Sequence, residues 1–162
     1  MTNVKPIPDG FSTVTPYLIV HDGNAAIQFY ERAFGAKEVL RLDGPNNTLA
    51  HGEIVIGESR LMLANEHPGM GALSPKSIGG SPVSMLIYVP NVDEAFQQAI
   101  DAGATEIRPV QDQFYGDRAG TLKDPFGHQW TLATHTEDVS QEEVERRFAE
   151  MMKQAGGSES PS

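Results

Sequence analysis

A chain of 162 residues with 22 acidic and 12 basic side chains carries a formal net charge of −10, and it contains no cysteine. The missing thiols exclude a disulfide framework, thiolate metal sites and a cysteine nucleophile. The acidity argues against a nucleic-acid partner and against anionic membrane surfaces, because both interactions start from basic patches.

The first ten residues, Met1 to Gly10, hold two prolines and no apolar run, so they do not read as a signal peptide. No stretch approaches the roughly 18 apolar residues of a membrane span. The default expectation is a cytoplasmic globular protein whose residues 1–12 form a flexible start. Thr13 to His21 is rich in β-branched and aromatic residues and predicts a strand, with Pro16 better suited to an edge or bulge. Asn24 offers an N-cap for a helix over Ala25 to Phe34, which Gly35 closes. Strands are predicted over Ala36–Asp43, Thr48–Ile56 and Arg60–Asn65, the last two joined by the tight turn Gly57-Glu58. Residues 13–66 thus form a first module.

Residues 67–82 change composition: Gly, Pro and Ser dominate, as in a linker or a loop over a site. The pattern then restarts over residues 83–135. A strand over Val83–Val89 precedes a helix over Val92–Ala102, then Gly103 and a strand over Ala104–Val110. Gly35-Ala36-Lys37-Glu38-Val39 and Gly103-Ala104-Thr105-Glu106-Ile107 carry the same helix-to-strand signal 68 residues apart. That offset places Gly52 on Gly120 and Leu63 on Thr131, an internal repeat of a βαβββ unit. Residues 136–155 predict an amphipathic helix. Ser140 and Glu143 suit a capping box, and Val144, Phe148, Met151 and Met152 form an apolar stripe that docks on its own protein or a second copy. Residues 156–162 are expected to be disordered. Seven acids and three bases follow His135, so much of the acidity belongs to this segment.

Several motifs in this order resemble the vicinal oxygen chelate superfamily of glyoxalases, extradiol dioxygenases and bleomycin-resistance proteins. They are Asn24-Ala25-Ala26-Ile27-Gln28-Phe29-Tyr30 and Asp124-Pro125-Phe126-Gly127-His128-Gln129-Trp130. Thr15-Pro16-Tyr17-Leu18, His51-Gly52-Glu53-Ile54, Leu61-Met62-Leu63 and Tyr115-Gly116-Asp117-Arg118 resemble its PhnB-like branch. The resemblance spans Thr13 to His135. It implies an α+β fold of two βαβββ modules, each a curved mixed sheet around a pocket with helices on the convex side, in a homodimer.

Enzymes of that superfamily bind a divalent metal through four strand positions, which fall here on Thr15, Leu63, Ser84 and Thr131. None is a carboxylate or an imidazole, so the usual metal site, and any cofactor role for it, is expected to be absent. Strand alternation puts Thr15, Tyr17 and Ile19 on the pocket face, with Val14, Leu18 and Val20 beneath the helices. Gln129, Thr131 and Ala133 share the pocket face of the last strand, and Trp130 belongs to the core. His51 and Glu53 lie two apart on a strand. They could point into the pocket as general base and orienting group, or form an exposed polar face. Arg118, with Tyr115 beside it, is either an anchor for a ligand oxyanion or is paired with Asp117 or with a carboxylate across a dimer. His21, His67, His128 and His135 are scattered and read as surface residues.

The expected function is metal-independent binding of a small aromatic or amphipathic molecule by Thr15, Tyr17, Leu63, Ser84, Tyr115, Arg118 and Thr131. The alternatives are a lyase or isomerase using His51 and Glu53, with or without a divalent metal, and a purely assembling or regulatory module.

Overall fold

A computed structural model describes residues 3–156. The elements run β1 (Tyr17–Val20), α1 (Gly23–Phe34), β2 (Lys37–Asp43), β3 (Leu49–Ile56), β4 (Ser59–Asn65), α2 (Pro75–Ile78), β5 (Ser84–Tyr88), α3 (Val92–Ala102), β6 (Thr105–Asp112), β7 (Asp117–Lys123), β8 (Gln129–His135) and α4 (Gln141–Gly156). They form two four-stranded sheets of the same design, ordered β1-β4-β3-β2 and β5-β8-β7-β6. In each, the first strand pairs parallel with the last and the other pairings are antiparallel.

Each module forms because its helix and its sheet have apolar faces that cannot be covered separately. Asp22, rather than Asn24, caps α1 by accepting from the Ala25 amide, and Gly35 ends the helix in the left-handed conformation. Asn91 caps α3 in the same way through the Glu94 amide. The packed face of sheet 1 presents Leu18, Val20, Ile54, Ile56, Leu61 and Leu63 to the core. Where α1 and α3 cross their sheets the strands carry glycine. A Cβ at Gly120 would stand 2.9 Å from both Phe96 and Val110, and one at Gly52 would stand 3.0 Å from Leu49. These are the two glycines matched by the repeat.

The modules share one core. α1 packs on α3, and Tyr30 and Phe34 meet Trp130 at ring-centroid separations of 5.4 and 4.8 Å. Trp130 is 1% exposed, as its parity predicts, and burying a side chain of this size contributes roughly 3 kcal/mol. The Asp124-Pro125-Phe126-Gly127 turn is tied to this core by its carboxylate. Asp124 accepts from the Tyr30 hydroxyl at 2.7 Å, the Trp130 indole at 2.8 Å, and the Phe126 and His128 amides at 2.9 Å. His128 is buried and reaches the Ile19 carbonyl at 3.0 Å, and His21 has a buried Nδ1, so neither is a surface histidine.

The Gly/Pro/Ser-rich segment is folded onto the first module. His67 bridges Ala72, and Ser74 is fully buried and caps α2. Glu66 accepts from the Ser74 amide at 2.9 Å and the Ser77 hydroxyl at 2.7 Å. The amide bond and then the hydroxyl bonds hold its carboxyl down at about 2, below the usual 4.5. A carboxyl depressed in the folded state stabilises above its unfolded pKa, and that contribution fades as pH falls from about 4.5 towards 2. The urea midpoint of Glu66→Gln is therefore expected to fall less than that of the wild type between pH 6 and pH 3. Equal falls would show that the bonds to Ser74 and Ser77 do not persist in solution.

α4 is anchored through its first half. Ser140 accepts from the Glu143 amide, but the Glu143 carboxylate turns to Arg146 and Arg147 instead of closing a capping box. Arg147 also reaches Glu137 and the Phe114 carbonyl, and Phe148 meets the Phe114 ring. Phe148, Met151 and Met152 remain exposed. The tail expected to be disordered, 156–162, lies outside the described residues except for Gly156. Among the described residues no helix is long and apolar enough to cross a membrane.

Candidate functional site

With one face of each sheet against the helices, the other is left open, and alternation decides what it displays. On sheet 1 the register sets Tyr17 beside Met62 and Met62 beside Glu53. His51, two residues from Glu53, shares their face. The side chains join in a chain. Tyr17 Oη lies 2.8 Å from His51 Nδ1, His51 Nε2 is 3.3 Å from Glu53 Oε1, and Arg60 Nη1 donates to Glu53 Oε2 at 2.5 Å. The Arg60 guanidinium lies 4.4 Å above the Phe11 ring. Burial pushes the Glu53 carboxyl up, but the bonds from Arg60 and His51 outweigh it and hold the group below its usual range. Burial raises Tyr17. With Nδ1 accepting from the Tyr17 hydroxyl, Nε2 carries the proton and donates to Glu53. Both imidazole nitrogens are then engaged, and the accessible end of the relay is Tyr17, 47% exposed.

A second polar cluster stands on the open face of sheet 2. Asp117, 3% exposed, accepts from the Tyr88 hydroxyl at 2.8 Å and contacts His135 Nδ1 at 2.7 Å. His135 Nε2 meets Asp138 at 2.9 Å. The Asp117 bond, then the Asp138 bond, raises His135 above its ordinary value. Tyr88 is raised by its bond to Asp117 and by burial. Burial and the Asp117 charge also raise Tyr115. His135 is exposed, as the sequence reading expected, but it is held in this cluster rather than free. The signal for it was in the alternation, since Thr131 and Ala133 lead directly to His135 on the same face.

The other expected ligand residues divide. Thr131 faces the open side and meets Thr121 at 3.0 Å between hydroxyls. Ser84 is exposed at the start of β5, and Thr15 is half-buried just before β1. Val14, expected beneath the helices, is exposed. Leu63 is fully buried in the core on the packed face. The reason is a hairpin one residue longer in the second module. Gly57-Glu58 turns the first, while Asp124 bonds His128 across Pro125–Gly127 in the second. The repeat offset therefore grows to 69 beyond the hairpin, and Met62, not Leu63, matches Thr131. Arg118 also lies on the packed-face parity, with Gly120 and Leu122. It pairs in bidentate fashion with Asp93 of α3 at 2.8 and 2.9 Å, and with Asp112 at 3.1 Å. Those bonds keep it cationic and engaged, and its partners are Asp93 and Asp112 rather than Asp117 or a carboxylate across a dimer.

The metal positions of the resemblance do not fit an ion. They present hydroxyls, a buried leucine and, with the corrected register, a thioether, whereas hard and borderline cations take carboxylate or imidazole. Among the described residues no three His, Asp or Glu side chains are grouped to hold a metal.

Two cavities open along the seam between β1 and β5. One of about 720 Å³ is bounded by Pro16, Leu61, Leu86 and Trp130, with Arg60 of the first cluster and Tyr88 of the second on its walls. The other, about 510 Å³, lies between Tyr17, Ile19, Ser84, Leu73 and Ile78.

The profile of the Glyoxalase/Bleomycin resistance protein/Dioxygenase superfamily matches residues 11–132. The chain belongs to this family. The uncharacterized protein Mb0911c of Mycobacterium bovis is 38% identical over 158 residues, covering 96% of this chain and 98% of that one. The crystal structure of TioX from Micromonospora sp. ML1 superposes with a TM-score of 0.61 at 26% identity, covering 76% of this chain and 98% of that chain. A Bacillus cereus structure described as a PhnB protein and putative 3-demethylubiquinone-9 3-methyltransferase shares the fold. Its TM-score is 0.58 at 17% identity, over 76% of this chain and 99% of that chain.

Proposed function

We propose that this protein binds a small aromatic or amphipathic molecule, without a metal ion, in the seam between its two sheets. The observation that carries the reading is the cavity of about 720 Å³, whose walls combine apolar side chains with Arg60 and Tyr88. Its size falls in the range of small-molecule sites, and a few fixed polar groups on apolar walls are what such sites require. The ligand would lie against Leu86 and Tyr88, with Arg60 at its polar margin. The likeness of the motifs around Tyr17, His51 and Tyr115 supports assignment to the PhnB-like branch of the family, and a cytoplasmic location is part of the same proposal.

The partner is a second copy of the chain. Leu40 and Leu42 on β2 are left 40 and 52% exposed, and α4 adds Phe148, Met151 and Met152. An apolar row on β2 and a stripe on α4 are surfaces that a homodimer would cover. In a light-scattering measurement the mass should be twice that of the chain. A monomer would remove the dimer from this proposal.

In a thermal-shift screen of aromatic and amphipathic compounds, a ligand at a hundred times its Kd adds about 2.7 kcal/mol of stability. For a chain of this size that corresponds to a rise of roughly 5–10 °C in Tm. Tyr88→Leu and Arg60→Met should reduce the rise. If no compound raises Tm, or if the rise survives both substitutions, the seam is not the site.

The Tyr17–His51–Glu53–Arg60 chain favours one second reading, a lyase or isomerase acting on a small oxygenated substrate. There Tyr17 would pass the proton, His51 would accept or return it, and Glu53 held by Arg60 would orient the imidazole. Turnover of such a substrate should be lost in both Tyr17→Phe and Glu53→Gln.

A further inference from the structure

The cluster on sheet 2 contains a carboxylate that the binding reading leaves without a purpose. Asp117 is sunk at the start of β7, where the register sets it opposite His135. Its two oxygens are used separately, Oδ2 by the Tyr88 hydroxyl and Oδ1 by His135 Nδ1. A buried carboxylate that fixes an imidazole through one nitrogen leaves the other aimed outward, and in the imidazolium form, which carboxylates on both nitrogens favour, that nitrogen is a positioned donor. Here Nε2 points to Asp138, whose side chain is fully exposed at the start of the strap leading to α4. That strap is pressed close. The Thr136 and Glu137 amides both donate to the Gly116 carbonyl at 2.9 Å. On the same face Ala119, Thr121 and Ala133 are buried, and Leu86 and Tyr88 stand exposed above them.

We propose that His135, fixed by Asp117, is the anchor for an oxyanion on the ligand, with Asp138 holding that position until the ligand arrives. The class of ligand is a planar apolar body bearing a carboxylate. The ring lies against the exposed Tyr88, and the carboxylate accepts from Nε2. The proposal rests on the ligand-binding reading and names the chemistry at one end of the site. Asp138 suits the part of stand-in because it presents the same chemical group as the ligand. It is held by one exposed ion pair, which water and salt weaken, so its displacement costs little. Asp117 does not suit it, being buried and doubly bonded.

The test uses benzoate as the anionic probe and methyl benzoate as its neutral counterpart, followed through the imidazole signals of the full-length protein by NMR. Benzoate should give a saturable shift of the His135 Nε2 resonance, and methyl benzoate should not. His135→Gln should abolish benzoate binding. Asp138→Ala should tighten it by about two- to fivefold, the scale of one exposed ion pair removed from competition. A purely structural His135–Asp138 contact would leave benzoate affinity unchanged or lower in Asp138→Ala, and that result overturns the proposal. So does benzoate binding that survives His135→Gln, or no saturable shift in either wild type or Asp138→Ala. If benzoate fails while other compounds still raise Tm through Tyr88 and Arg60, the binding reading stands and only the oxyanion anchor falls.

Discussion

Replacing Asp124 with alanine is expected to cost about 3–5 kcal/mol of folding free energy, a large part of the 5–15 kcal/mol typical of a domain. The carboxylate satisfies four donors from two modules: a hydroxyl on α1, the indole of β8 and two amides of its own turn. Alanine would leave all four buried without an acceptor, and each unsatisfied donor carries a desolvation penalty of roughly 1–3 kcal/mol. Local rearrangement and water entry recover part of that sum. Urea unfolding followed by fluorescence of the single tryptophan, Trp130, reads the change directly, because the indole is one of the four donors. Tyr30→Phe removes one donor together with its need for a partner, so a loss of only about 1 kcal/mol is expected. Equal losses for the two variants, or a small loss for Asp124→Ala, would show that the Asp-Pro-x-Gly turn does not couple the modules.

Gly116→Val is the second substitution with a large expected effect, about 2–4 kcal/mol, from two independent causes. Gly116 has φ of +101°, a backbone conformation that side chains with a Cβ rarely adopt. A Cβ there would also stand 2.2 Å from the Glu137 carbonyl oxygen, a backbone atom that cannot swing aside. The strap over residues 136–140 must then lift, and with it goes the seating of His135 against Asp117. A drop in the urea midpoint together with a lowered His135 pKa is the expected pair of results. Lowering follows because the bond to Asp117 is the largest cause of the elevation. A destabilised protein whose His135 titrates as in the wild type would separate the strap from the imidazole.

Most of the architecture was legible in the sequence because its signals are local and repeated. Gly35 and Gly103 each end a helix before a strand, and Gly52 and Gly120 mark where the helices cross their sheets. Trp130 was placed in the core by alternation alone. Two of the misplacements are matters of parity, since a step of one residue along a strand changes the face a side chain takes. The extra residue in the Asp124–His128 hairpin moved Leu63 from the expected pocket set into the core, with Met62 taking the open face. Arg118 fell to the same parity. It follows the open-facing Asp117, so it turns toward α3 and finds Asp93, a partner 25 residues away that no local pattern announces. The folding of residues 67–82 onto the first module depends on Glu66 bonding Ser74 and Ser77, which composition does not reveal.

The two polar clusters differ in what the sequence could say of them. His51 and Glu53 are two apart on one strand, so their common face was open to inference, while Tyr17 and Arg60 joined them only through strand pairing. Tyr88, Asp117 and His135 come from three strands of sheet 2, and only the order β5-β8-β7 brings them together. Family membership agrees with the fold but leaves the chemistry to these residues.

Metal-independent binding is tested most directly by calorimetric titration of the best compound from the thermal-shift screen. The protein would first be dialysed against a chelator and then titrated with and without an added divalent cation. Saturable binding of equal affinity in both conditions is expected. Binding that is lost after chelation and restored by the cation, or a failure of every stabilising compound to bind saturably, would show that the seam between the sheets is not a metal-free ligand site.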